Sequence, residues 1–264
     1  MKKILEKPID MFVGYPWNCS QLFAQSRDIY MADFGNTMKF GHNGMDFVAS
    51  SDKKGYGTKI RAAHKYYSVI LESDFPNKTK GNGIYLRGKL DTPILVNGIL
   101  ASEVETCYWH LSDFSIRAGA TGNAGDVIGL MGNTGYVWPR PSQASPWDGT
   151  HLHFGIRFYH ESGNIIPSEF SGNYVDPLPY MYVIGEKIGT QAYLGKDLMI
   201  GSYGDEVSVL QSLMSLQGVY DGDPTGQFGP KTFASVVSLQ KKYGITPTGY
   251  AGPKTRALLN NKYC

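Results

Sequence analysis

The chain has 264 residues, 42% of them hydrophobic and 18% charged, with a formal net charge of +2. That balance lacks the basic footprint of a nucleic-acid binder. No run reaches the ~18 apolar residues of a bilayer span, so membrane insertion is not expected. Cys19, Cys107 and Cys264 are too few and too scattered for a disulfide framework or a paired-cysteine metal site, and are expected to be free thiols.

The chain opens on "MKKILEKPIDMFVGYP", where Glu6, Lys7, Pro8 and Asp10 interrupt any apolar core of signal-peptide length. "GHNGMDF" follows, with His42 and Asp46 four apart in a turn rich in Gly and Asn. Such a pair is common by chance. "GIYLRG", "ILASEVETCYWHL" and "DVIGLMG" mix β-branched and aromatic residues between Gly, Asn and Asp punctuation and predict strands. The second of these carries His110. "TPILVNGILASEVETC" predicts a long hairpin. "GNAGD" and "GNTG" are turns. "YVWPRPSQASPWDGT" is an aromatic loop with three prolines, in which Trp138 and Trp147 are candidate walls of a substrate groove.

"HLHFGI" alternates Leu152, Phe154 and Ile156 with His151, His153 and Gly155, the period of a strand. Residues two apart on a strand share a face, so the two imidazoles are expected side by side, opposite a packed apolar side. Alone, the hexapeptide admits either a metal or catalytic pair or a solvated polar face. His64 and His160 lie in contexts that suggest no role.

"NYVDPLPYMYVIG" closes the β-rich part, predicted over 1–187, and a linker is expected at 188–196. The remainder, 197–264, reads as a small all-α unit of three helices. "GDEVSVLQSLMSLQG" has Val207, Leu210, Leu213 and Met214 at helical spacing, with Asp205 as its expected N-cap. "GQFGPKT" at 226–232 is echoed by "GYAGPKT" at 249–255, each copy placing Pro230 or Pro253 at the first helical residue. "DGDPTG" suggests a calcium loop, but Thr232 stands where the twelfth-position Glu belongs, and the segment reads as a turn.

Zinc sites that do chemistry use three protein ligands of His and carboxylate type. His42, Asp46 and one histidine of the 151/153 pair supply such a set. His110 and the other histidine are left to act on the reaction. The ordered combination of HxxxD, HLS and HxH is far more specific than its parts.

In these motifs, and in "GTKIRAAHKYYSVI", "GNGIYLRG" and "VDPLPYM", the chain resembles the lysostaphin-type zinc endopeptidases of peptidoglycan from about residue 20 to residue 181. The resemblance implies a β-rich antiparallel peptidase domain and zinc bound by His42, Asp46 and His153. It also implies His110 and His151 as catalytic residues. The tail resembles the small helical peptidoglycan-binding domains attached to wall hydrolases.

Together they imply a monomeric zinc endopeptidase that cuts peptide cross-links of bacterial peptidoglycan, held to the wall by its tail. Residues 1–190 are expected to fold and keep the metal alone. Two other classes stay open: a zinc amidase of peptidoglycan, and a non-catalytic wall-binding protein that has lost metal ligands. This chain keeps every expected ligand. The modular plan and the missing apolar leader favour a phage lysin over an exported bacterial enzyme.

Overall fold

The computed structural model describes residue 5 and residues 17–34, 41–49, 53–73, 81–181 and 193–263. Apart from Leu5, the segment read for a leader lies outside them, as do residues 182–192 and Cys264. By their contacts the described residues form two compact units. One holds 17–20 and 45–166 with residue 5; the other holds 21–44 and 167–263.

The first unit is built on an antiparallel sheet. Its strands are β1 (Trp17–Gln21), β2 (Met45–Ala49), β3 (Lys59–Arg61), β4 (Ser68–Ser73), β5 (Asn82–Val96), β6 (Ile99–Phe114), β7 (Val127–Met131) and β8 (Leu152–Tyr159). The order is β1-β2-β8-β6-β5-β4, with β7 on β6 and β3 on β7. The predicted hairpin is β5–β6. It closes through Asn97 and Gly98, both at positive φ (49° and 76°), between the paired Val96 and Ile99. An Asn-Gly pair with this geometry matches the twist of the flanking strands. Central β8 is flanked by β2 and β6. Leu152, Phe154 and Ile156 are fully buried, and the Phe154 ring lies 5.3 Å from that of Tyr108. Cys107 is a free, buried thiol, as expected.

His64, which the sequence left without a role, is buried in this core. Its Nδ1 lies 2.8 Å from the Lys65 carbonyl oxygen, and its Nε2 lies 3.0 Å from the Thr106 hydroxyl. Burial pushes its pKa down to about 4, against hydrogen bonds to the backbone that raise it. The folded state therefore binds fewer protons than the unfolded chain, whose His titrates near ~6.5. Stability is full above that pH and is lost as pH falls toward the folded value. The loss from this group between pH 7 and pH 4 is about 3 kcal/mol, from ~1.4 kcal/mol per pH unit. His64→Gln should flatten the acid limb of urea-unfolding free energy by that amount. An unchanged slope would remove His64 from the acid response.

The second unit carries helices α1 (Arg27–Phe34), α2 (Asp205–Leu216), α3 (Pro230–Lys242) and α4 (Pro253–Tyr263). α2 is central, with every residue from Val207 to Ser215 buried. α3 and α4 begin at Pro230 and Pro253, as the repeat predicts. The repeat also has a polar rationale. The Gln211 amide donates to Thr232 Oγ1 at 2.8 Å, and Gln240 donates to Thr255 Oγ1 at 3.1 Å. Their carbonyl oxygens accept the Gly226 and Gly249 amides. Each helix thus plugs a glutamine into the turn that starts the next. Gly249 is required there: its φ is +73°, and a Cβ would lie 2.1 Å from the Phe233 ring. "DGDPTG" is an irregular bend, as read. Asp205 is not the N-cap. Gly204 takes that position without a side-chain bond, and Asp205 Oδ1 instead accepts the Ser26 amide at 2.8 Å.

Candidate metal centre

β2 and β8 pair with Asp46 opposite His153. This register sets the carboxylate against the imidazole, with Asp46 Oδ1 3.2 Å from His153 Nδ1. His42 precedes β2 on a turn that the chain ties down from both sides. The Ala24 amide donates to the His42 carbonyl at 2.7 Å, and the His42 amide donates to the Gln25 carbonyl at 3.0 Å. Gly41 is needed for this approach, since its φ is +90° and a Cβ would lie 2.7 Å from the Gln25 oxygen. His42 Nδ1 lies 3.3 Å from the Leu22 carbonyl oxygen.

His42, Asp46 and His153 are all buried, and each offers one ligand atom within 4.8 Å of the others. A buried carboxylate between two imidazoles is costly unless charge compensates it. A divalent cation does so, and this nitrogen and oxygen set is the kind zinc takes in reactive sites. The residues present therefore fit a zinc ion.

Two further imidazoles stand beside this set. His151, just before β8, bridges to Gly132, and its Nε2 lies 3.7 Å from Asp46 Oδ2. The 151/153 pair thus shares one face, as the strand period predicts. His110 arrives by a route the sequence does not show. Simple alternation along β6 would send it to the side of Tyr108, away from Trp109. The register of β6 against β5 shifts here, from Ile84 opposite Tyr108 to Asn82 opposite Leu111, and His110 has φ +66°. The irregularity re-aims the side chain, as bulges beside functional sites do. The His110 ring ends 4.5 Å from His151 and 6.1 Å from His153.

Both flanking imidazoles are oriented by backbone. His110 Nδ1 lies 2.8 Å from the Thr134 oxygen, and His151 Nδ1 lies 2.8 Å from the Gly149 oxygen. Carbonyls only accept, so each Nδ1 carries the proton and each Nε2 is left to face the site. Burial, and then the charges of His151 and His153, hold His110 well below the usual histidine range. It is therefore neutral at pH 7.

Trp109 is a site residue that the sequence reading passed over. It pairs with His153 across β6 and β8, and the two rings stack at 4.4 Å and 8°. Its indole N–H donates to the Tyr85 hydroxyl at 3.2 Å. The "YWH" triplet holds no local signal for this, since alternation sets Trp109 and His110 on opposite faces and the approach of Trp109 to His153 comes from the pairing of β6 with β8. His64 and His160 stay away from the site, as expected.

The two loop tryptophans differ. Trp138 is 80% exposed. Trp147 packs on Tyr56 at 4.6 Å with the Lys53 ammonium over its ring.

An antiparallel sheet that sets two imidazoles and a carboxylate about one point, with two oriented imidazoles beside them, is the architecture of a metallopeptidase. Residues 40–177, just over half of the chain, match peptidase family M23. The chain belongs to that family and carries its His–Asp–His metal set. Residues 203–259 match a peptidoglycan binding domain.

Solved structures similar to the chain include a zinc containing peptidase from Vibrio cholerae, at 17% identity and TM-score 0.39. That match covers 62% of this chain and 39% of the Vibrio protein. The catalytic domain of lysostaphin from Staphylococcus simulans is 22% identical, over 63% of this chain and 91% of that one, with TM-score 0.36. A prophage-encoded M23 catalytic domain from Enterococcus faecalis is 18% identical, over 60% and 92%, with TM-score 0.38. No curated protein matches the chain.

Proposed function

We propose that the protein is a zinc-dependent endopeptidase that hydrolyses peptide cross-links of bacterial peptidoglycan, and that its helical tail engages the wall. The observation that carries this reading is the buried His42, Asp46, His153 group beside two imidazoles with their Nε2 atoms turned to the site. His42, Asp46 and His153 hold the metal. Zinc, when bound, supplies Lewis acidity to the scissile carbonyl and the attacking water. His110, neutral at rest, accepts a proton at Nε2 and delivers it to the leaving amine. His151 takes the second proton of the attacking water at Nε2, donates that N–H to the developing oxyanion, and gives the proton up to the same leaving amine.

Digestion of purified sacculi and mass spectrometry of the fragments test the bond. New termini within cross-linking peptides are expected. Release of whole peptides from the sugar would make the protein an amidase.

Trp138, on the open face of the loop, supports a role in gripping the peptide, whereas Trp147 supports the loop itself. Trp138→Ala should raise KM for sacculi several-fold without changing stability. Trp147→Ala should destabilise by about 1–3 kcal/mol. Equal KM for wild type and Trp138→Ala would remove Trp138 from the groove.

The division into a catalytic part at 1–187, a linker and a wall-binding part at 197–264 belongs to this proposal, as does action as a phage lysin. Expression in a host, with and without membrane permeabilisation, separates a lysin from an exported enzyme. Lysis only after permeabilisation is the expected result.

A further inference from the structure

We propose that helix α2 positions the metal ligand His42, by clamping the turn at residues 22–26 from which His42 hangs. The inference rests on the reading of His42 as a zinc ligand. Three layers of contact carry it, all within one compact unit.

The first layer joins His42 to the turn. Its carbonyl accepts the Ala24 amide, its own amide donates to the Gln25 carbonyl, and its Nδ1 lies 3.3 Å from the Leu22 carbonyl oxygen. These three contacts fix both the height of the residue and the rotation of its ring.

The second layer is the turn's own conformation. Ala24 has φ +63° and Ser26 has φ +57°. Neither is a glycine, and each left-handed residue costs about 1 kcal/mol or more. Such a turn persists only when its surroundings over-determine it. Part of the restraint is internal, since the Gln25 side chain folds back to accept the Leu22 amide at 2.6 Å.

The third layer comes from α2. Asp205 Oδ1 accepts the Ser26 amide at 2.8 Å, and the buried Ser208 hydroxyl donates to the Ala24 carbonyl at 3.3 Å. One helical turn thus grips the two left-handed residues, one bond each. An isolated α2 has no use for either contact. The helix cap is supplied by Gly204 without a side-chain bond, which leaves the Asp205 carboxylate for the distant amide.

The same helix lies in the segment matching a peptidoglycan binding domain. The segment matching a peptidoglycan binding domain therefore supplies the element that braces the metal ligand's turn, and a chain ending at residue 190 would lose both clamps. That consequence departs from the expectation that residues 1–190 keep the metal by themselves.

The test is zinc affinity of the full-length protein, measured by competition with a chromophoric chelator. The visible spectrum of the cobalt-loaded protein gives a second readout of ligand geometry. Asp205→Ala/Ser208→Ala should weaken zinc binding by about tenfold, the low end of what loss of supporting partners costs a metal site, and should alter the cobalt spectrum. Ser208→Ala alone should lose roughly threefold, about half that effect on a logarithmic scale. Asp205→Asn keeps an acceptor oxygen and should retain most of the affinity.

Ser212→Ala is the control. Ser212 lies on the same helix but donates to Asp176 Oδ2 and not to the turn. It should lower stability and leave zinc affinity unchanged. Zinc affinity within twofold of wild type in both Asp205→Ala/Ser208→Ala and Ser208→Ala would overturn the clamp and leave the metal assignment standing. An equal loss in Ser212→Ala would overturn it too, by showing general loosening. Failure of the wild type to bind zinc at all would remove both readings together.

Discussion

His153→Ala should abolish zinc binding and lower hydrolysis of sacculi by more than about a thousandfold. Three ligand atoms are needed to hold a reactive zinc, and His153 is fixed on a central strand and under the stacked ring of Trp109. Its loss also removes the imidazole that faces Oδ1 of the buried Asp46 at 3.2 Å. The Lewis-acid contribution of a metal is several kcal/mol, and about 4 kcal/mol is a thousandfold. Elemental analysis of the purified variant and dye release from labelled sacculi measure the two effects. A variant that kept one zinc per chain would overturn the ligand assignment.

His110→Ala and His151→Ala should behave oppositely with respect to the metal. Each should keep zinc and lose about 10²–10⁴ in kcat, the range for a positioned general acid or base. Neither residue belongs to the group of three that converges on a common point. Their Nδ1 atoms are committed to Thr134 and Gly149, which leaves Nε2 as the atom for the proposed proton transfers. The pH dependence follows by sign. His110 is held below the usual histidine range by burial, so its neutral form is complete above that range and persists as pH falls through ~6.5. An acid limb near pH 6 should therefore arise from protons competing with zinc for its histidines, and added zinc should move it to lower pH. If His110→Ala lost its zinc, metal-binding and proton-transfer roles would have to be reassigned.

Much of this was legible in the sequence because it rests on short-range patterns. "HLHFGI" announces its strand and the shared face of His151 and His153 through alternation alone. Pro230 and Pro253 announce two helix starts because a missing N–H is tolerated only there. Other features depend on partners that leave no local mark. His110 needs a break in β6, seen as the register shift against β5, so alternation assigns it to the wrong side. The oxygens that orient His110 and His151 are backbone atoms of Thr134 and Gly149, and every residue type offers one. Asp205 shows the converse. Its type and place suit an N-cap, yet its carboxylate serves an amide 179 residues away in the chain. Local propensity ranks the options for a carboxylate, and tertiary packing selects among them.

The segment between Thr134 and Gly149 has two ends that orient His110 and His151, and a middle whose one proposed duty is the grip of Trp138 on the peptide. Asn133 ties the far end by donating to the Pro146 and Asp148 carbonyls, both at 2.9 Å. Variation confined to residues 138–145 leaves those anchors and both histidine tautomers in place. Natural divergence in what the enzyme cleaves should therefore collect in that window, and a randomised library placed there should yield altered substrate preference at a low rate of dead enzyme. Libraries that cross Thr134 or Gly149 should yield mostly inactive variants.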